Sequence, residues 1–169
     1  MKILSLDLST NSTGYAIFKN GELEDYGLLT AKGKNAIERI YLMTEQLEEV
    51  LNKYPEIEKI IVEEVRPENN QTGPGNLRTH KILMWLQAAL EFLNYNKNKL
   101  KIEYIYPSEW RAKCGIRTGK SIKRETLKQE DIEFVKNQYN IVVNDDIADA
   151  IGIGHAYLLG TEETAYVWE

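Results

Sequence analysis

Residues 2–21 read KILSLDLSTNSTGYAIFKNG, and the reading of this stretch decides the fold. Lys2–Leu8 carries Ile3, Leu4, Leu6 and Leu8 and reads as a buried strand. Gly14–Phe18 reads as a second strand. Asn20-Gly21 then marks a hairpin, because both central positions of a tight primed turn need positive φ. Leu23–Thr30 follows as a third strand, so the chain opens with an antiparallel meander.

Beyond the meander the pattern alternates. Asn35–Tyr54 has Ile37, Ile40, Thr44, Leu47, Leu51 and Tyr54 at helical spacing, and Pro55 stops it. Glu58–Val65 holds Ile60, Ile61 and Val62, a short apolar run suited to a central strand covered on both faces. Arg66–Asn76 reads as loop, Leu77–Asn94 as a strongly apolar helix and Lys101–Tyr106 as a strand ended by Pro107. Ser108 is a candidate cap for a short helix around Trp110. Gly115–Gly119 reads as a basic loop, Ile122–Tyr139 as a helix, and Asp146–Leu159 as a last helix ended by Gly160. The expected class is α/β, a mixed five-stranded sheet flanked by helices on both faces, as one domain over residues 1–160 with a tail at 161–169. Right-handed crossovers place the strand of Glu63 beside the strand of Asp7. Ligands bind such sheets beyond the carboxyl ends of the strands.

The chain has 169 residues, 43% hydrophobic and 28% charged, which suits one soluble globular domain. No apolar run reaches the roughly 18 residues of a membrane span. Asp7 falls where a signal peptide would need an apolar core, and the lone Cys114 can form neither an internal disulfide nor a zinc site, so a reducing cytoplasm is expected. The net charge of -5 argues against nucleic acid, but its distribution argues back. Lys97–Lys128 holds ten basic and three acidic residues. That asymmetry suits a basic face on an acidic body, although a run of charge is more commonly just a solvated surface.

Five acids stand out: Asp7 at the end of the first strand, Glu63 and Glu64 at the end of the fourth, and the pair Asp146 and Asp149 at the start of the last helix. Alternation sends Glu63 and Glu64 to opposite faces, so only one can join Asp7; Glu64 is expected at the solvated strand end. A spacing of three puts Asp146 and Asp149 on one side of their helix. Asp146 alone is commonly a helix cap or dipole partner. Asp7 interrupts an apolar strand, where an unpaired carboxylate is costly. Carboxylates converging in one cleft need cations, and their hard oxygens suit Mg2+. Two ions about 4 Å apart can clamp the attacking and leaving oxygens of a phosphodiester.

Leu6-Asp7-Leu8-Ser9-Thr10 with Thr13-Gly14-Tyr15-Ala16 resembles the first motif of RuvC-type Holliday junction resolvases of the RNase H-like superfamily. Ile61-Val62-Glu63-Glu64-Val65 resembles their second motif, and Asp146-Ile147-Ala148-Asp149-Ala150 the third. Pro107-Ser108-Glu109-Trp110-Arg111 looks like the variant found in phage and related members, which would place the protein in a bacterial host's cytoplasm. The resemblance implies an RNase H-like fold and an endonuclease that cuts Holliday junctions and other branched DNA. It implies Asp7, Glu63, Asp146 and Asp149 as metal ligands for Mg2+ (two ions, with Mn2+ an alternative) and a homodimer. It implies Lys120 or Lys123 at the scissile phosphate, and it places Arg111 near a basic position of the family. Arg66, Arg78, Lys81, Arg117 and Arg124 complete the expected DNA contacts, with Asn76 and His80 in the same loop region. The stretch Arg66-Pro67-Glu68 lacks the aromatic that cellular members carry there, which implies relaxed cutting of several branched structures. His155 is read as a satisfied helix histidine before a metal-site assistant, Trp85 as core or dimer interface, and Cys114 as a buried small hydrophobe.

Three rival readings remain open. An RNase H-like nuclease could act on RNA or RNA–DNA hybrids. Residues 7–14 are also similar to the first phosphate loop of sugar kinases and actin-like proteins, but 169 residues are too few for their two domains. A catalytically dead DNA-binding protein on the same fold is the third, and the intact acids argue against it.

Overall fold

The computed structural model describes residues 1–65, 74–119 and 121–160; for Pro74, Gly75 and Asn76 it describes the backbone alone. Three strands, β1 (Lys2–Asp7), β2 (Ser12–Lys19) and β3 (Glu22–Thr30), are followed by helix α1 (Ala36–Lys53) and strand β4 (Lys59–Glu63). Helix α2 (Pro74–Lys97), strand β5 (Lys101–Ile105) and helices α3 (Pro107–Lys113), α4 (Arg124–Tyr139) and α5 (Asp145–Leu158) complete the chain. The sheet runs β3-β2-β1-β4-β5, with β1–β2 and β2–β3 antiparallel and β1–β4 and β4–β5 parallel. This is the expected mixed five-stranded sheet. The Asn20-Gly21 turn forms as read, with φ of 51° and 89°.

Alternation along the strands builds two cores. Leu4, Leu6, Ile60 and Val62 face one way, into a cluster with Met43, Leu47, Leu86 and Leu90 from α1 and α2. Ile3 and Ile61 face the other way, into a cluster with Trp110, Val135, Ile151 and Ile153 from α3, α4 and α5. Helix α5 lies directly on that second face: the Ser5 hydroxyl donates to the Ala150 carbonyl at 2.7 Å. Asp7 and Glu63 continue the same odd-numbered rows, so both project toward α5.

Several sequence expectations are corrected. Ser108 does not cap α3; Tyr106 occupies the N-cap without a side-chain bond, because Pro107 already starts the helix with its fixed φ. Helix α4 begins at Arg124 rather than Ile122, and α2 at Pro74 rather than Leu77. On α1 the buried stripe is Ile40, Met43, Leu47, Val50 and Leu51, while Ile37 is 61% exposed. Trp85 is 42% exposed and so is not core. Glu64 is not solvated: it is 4% exposed, projecting away from α5, and its Oε2 has no hydrogen-bond partner among the described residues. Cys114 is half-buried, and burial pushes its thiol up to about 12. No helix among the described residues is long and apolar enough to cross a membrane.

Candidate active site

Asp7 and Glu63 are the last residues of two adjacent parallel strands, whose pairing Leu6↔Val62 sets them side by side. On the other side of β1, Asp7 pairs with Gly14 of β2. Gly14 lets the first turn of α5 come down on the sheet: a Cβ there would lie 1.9 Å from the Asp146 carbonyl oxygen. Asn144 caps α5 by accepting from the Ile147 amide, which leaves Asp146 free of capping duty. The Asp146 carboxylate instead accepts a short hydrogen bond from the Ser12 hydroxyl of β2. Asp149, one turn on, accepts from Arg111 Nη2 at 3.4 Å, and its other oxygen, Oδ1, is buried with no hydrogen-bond partner among the described residues. Glu63 accepts from the indole N–H of Trp110 at 2.6 Å.

The electrostatics agree with this convergence. Burial holds the Asp7 carboxyl well above the usual range, and the charges of Glu63 and Asp146 push it further. Burial also raises Glu63, against the opposing Trp110 bond. Asp149 is pushed up to about 10 by burial and then by Asp7, Asp131 and Glu63. One cation, Arg111, stands among these acids and lowers all three. Among the described residues no three acid, histidine or cysteine side chains are closed into an ion-holding geometry. Like charges without a cation separate, and here three of the four acids lean on neighbours of their own: Trp110, Ser12 and Arg111. The group nonetheless fits a hard divalent ion. Its donors are carboxylate oxygens, and the orphaned Asp149 Oδ1 is a buried acceptor that a cation would satisfy.

Residues 1–163 match the family described as Lactococcus phage M3 protein. The chain belongs to that family. No curated protein matches it significantly. Among solved structures, Thermus thermophilus RuvC in complex with a Holliday junction substrate is similar at a TM-score of 0.72, with 15% identity over 97% of this chain and 99% of that one. A second T. thermophilus RuvC structure gives 0.68 and 16% identity over the same shares. The yeast mitochondrial Holliday junction resolvase gives 0.57 and 15%, over 92% of this chain and 77% of that one. At these identities the likeness is one of fold: this phage-family chain has the RuvC, RNase H-like fold along almost its whole length.

The basic residues divide. Arg78 and Lys81 are exposed on α2, with Lys81 over the Trp85 ring at 5.0 Å. Arg117, Lys123 and Arg124 are exposed between α3 and the start of α4, and the Arg124 charge reaches Glu63. Arg66 and Lys120 lie outside the described residues, as do the Asn76 side chain and the tail at 161–169. Arg111 departs from the expected DNA-facing position. It is 12% exposed, stacks on Trp110 at 4.4 Å and grips Asp131 of α4 through Nε and Nη2 at 2.9–3.2 Å. His155 bonds the Tyr139 hydroxyl through Nδ1 at 2.7 Å, and burial lowers its pKa, so it is a satisfied helix histidine. Sequence reasoning missed Ser12, Trp110 and Asp131. Asp131 sits in Lys128-Gln129-Glu130-Asp131, which looks like any solvated helix face.

Proposed function

We propose that this domain, residues 1–160, is a divalent-metal-dependent endonuclease that cuts Holliday junctions and other branched DNA by phosphodiester hydrolysis. The observation that carries the reading is the convergence of Asp7, Glu63 and Asp149, from three separate elements, on one mostly buried spot where Asp149 Oδ1 lacks a partner among the described residues. The RuvC fold along nearly the whole chain supports it, since the solved relatives include a RuvC bound to a Holliday junction.

Asp7, Glu63, Asp146 and Asp149 would hold the Mg2+, two ions by the carboxylate count; Mn2+ suits the same oxygens. Bound there, the metal supplies an activated water and neutralises charge on the phosphate. The chain's own residues do the rest. Lys123, or Lys120, meets the charge that develops on the phosphoryl oxygens. Arg78, Lys81, Arg117 and Arg124, joined by Arg66, hold the backbone of the DNA arms and set its register against the acids. Arg111 serves inside the site. A homodimer presents two equal sites to a junction of near two-fold symmetry. The exposed apolar stripe of α2, with Leu77, Met84, Trp85, Phe92 and Tyr95, is the surface that fits such pairing.

The test sets a synthetic four-way junction, a linear duplex and an RNA–DNA hybrid against the purified protein with and without Mg2+. Mg2+-dependent cutting of the junction in preference to the duplex is expected. Preference for the hybrid would replace this reading with an RNase H activity, and no cutting of any substrate would remove the nuclease.

A further inference from the structure

Arg111 poses a problem for a metal site. It is a cation already placed among the acids, with Nη2 3.4 Å from Asp149 Oδ2. Closed fully on Asp149, it would neutralise that carboxylate and compete with a divalent ion. Asp131 changes the balance. It is 1% exposed and takes both Nε and Nη2 of the guanidinium, with contacts of 3.1 Å and 2.9 Å to Oδ2 and 3.2 Å to Oδ1. These bonds occupy the Nε/Nη2 edge of the guanidinium and fix its plane, so Asp149 is met only from the Nη1/Nη2 side, by a single long contact of 3.4 Å. The Trp110 ring closes the remaining side at 4.4 Å, and the same indole donates to Glu63.

We propose that Asp131 is a positioning residue that anchors Arg111 and so keeps the Asp149 carboxylate available to a divalent cation. The inference rests on the metal-site reading given above. It assigns α4 a part in the site that its polar sequence conceals. Asp131 acts through Arg111, by fixing where the cation among these acids stands. Outer partners of metal ligands commonly control affinity by about 10- to 100-fold.

A purely structural role, pinning α3 to α4, makes different predictions, and Mn2+ binding followed by electron paramagnetic resonance separates them without any cleavage assay. In Asp131→Asn the guanidinium loses its anionic partner and turns to Asp149, so Mn2+ affinity is expected to drop at least tenfold, by the outer-partner scale. Arg111→Gln removes the competing cation, and Mn2+ affinity is expected to equal or exceed that of the wild type. The double variant Arg111→Gln/Asp131→Asn is expected to recover binding lost in Asp131→Asn, because the residue to be restrained is gone. Unchanged affinity in Asp131→Asn overturns the proposal, and so does a double variant no better than Asp131→Asn. Should Asp131→Asn not fold, Arg111→Gln decides alone: a tenfold loss of Mn2+ there would mean that Arg111 holds Asp149 in place for the ion, the opposite of the claim. Failure of the underlying reading looks different, since the wild-type protein itself would then bind no Mn2+.

Discussion

Gly14→Ala is the sharpest test of how the site is built. Gly14 pairs with Asp7 across β1 and β2, and its absent side chain is where α5 meets the sheet. An added Cβ would stand 1.9 Å from the Asp146 carbonyl oxygen, 2.4 Å from its carbon and 3.0 Å from the Ile147 nitrogen. All three are backbone atoms of a helical first turn, so no side-chain rotation relieves the overlap. Ordinary contact requires a retreat of about 1.5 Å by β2 or by the start of α5. Because α5 is also tied down at Ser5 and Ala150, the motion falls on its start, which carries Asp146 with Asp149 one turn on. Overpacking of this kind costs about 1–3 kcal/mol of stability. Its effect on chemistry is larger, since misplacing a catalytic group by about 1 Å can lower a rate 10²-fold. Single-turnover junction cleavage at saturating Mg2+, beside urea unfolding, measures both. Gly27→Ala is the control: its Cβ would meet only ring atoms of Tyr15 at 2.7–2.9 Å, a side chain that can swing away, and cleavage stays near the wild-type rate. A Gly14→Ala protein that folds with wild-type stability and cuts at the wild-type rate refutes this account of the site.

Asp7→Asn, Glu63→Gln and Asp146→Asn are each expected to abolish cutting while leaving junction binding intact by gel shift; Glu63→Gln cutting at the normal rate while Glu64→Gln does not would shift the strand register by one. Asp7, Glu63 and Asp149 hold protons more tightly folded than unfolded, so their contribution to stability is full below about pH 4 and is lost as pH rises toward their folded values, for Asp149 about 10. The metal-free melting temperature therefore falls through neutral pH, whereas Mn2+ at about 100 times its Kd adds about 2.7 kcal/mol, or roughly 5–10 °C. Differential scanning fluorimetry should show a larger Mn2+ shift at pH 8 than at pH 6, and equal shifts at both would count against ionised carboxylates as the ligands. Junction affinity should decline steeply between low and moderate salt, with Lys123→Ala lowering the logarithmic slope by about one; a flat salt profile removes the basic face.

The four acids were legible because local rules placed them. Strand alternation put Asp7 and Glu63 on one face and expelled Glu64, and a spacing of three put Asp146 and Asp149 on one side of a helix. What the sequence hid is what depends on packing between distant segments. Asp131 lies with Val135 on the buried side of α4, where Arg111, twenty residues earlier in the chain, bonds to it. Arg111 itself read as a DNA contact, since a basic residue near the motifs carries no mark of facing inward. On α1, the apolar period could not say that Met43 is fully buried while Ile37 is 61% exposed, because a helical period marks a face and not how deeply each residue on it is buried. Glu64 read as solvated because it follows the last residue of β4, a position that by itself does not announce its 4% exposure.

The neighbours of the acids explain how a site this anionic can exist before an ion arrives. Trp110 takes Oε2 of Glu63, Ser12 takes Oδ2 of Asp146, and Arg111 takes Oδ2 of Asp149. Each contact engages one oxygen of its carboxylate. A carboxylate accepts through both oxygens, so the second can turn to an ion while the first keeps its donor. Trp110 and Ser12 are neutral donors; they orient their acids and compete weakly with a divalent charge. Arg111 is the exception, a full charge that any ion must displace or coexist with, and it is also the residue that receives the most elaborate restraint. Neutral partners on two acids and a tethered cation on the third suit the proposed metal site, which would have to stay folded when empty and still yield to an ion.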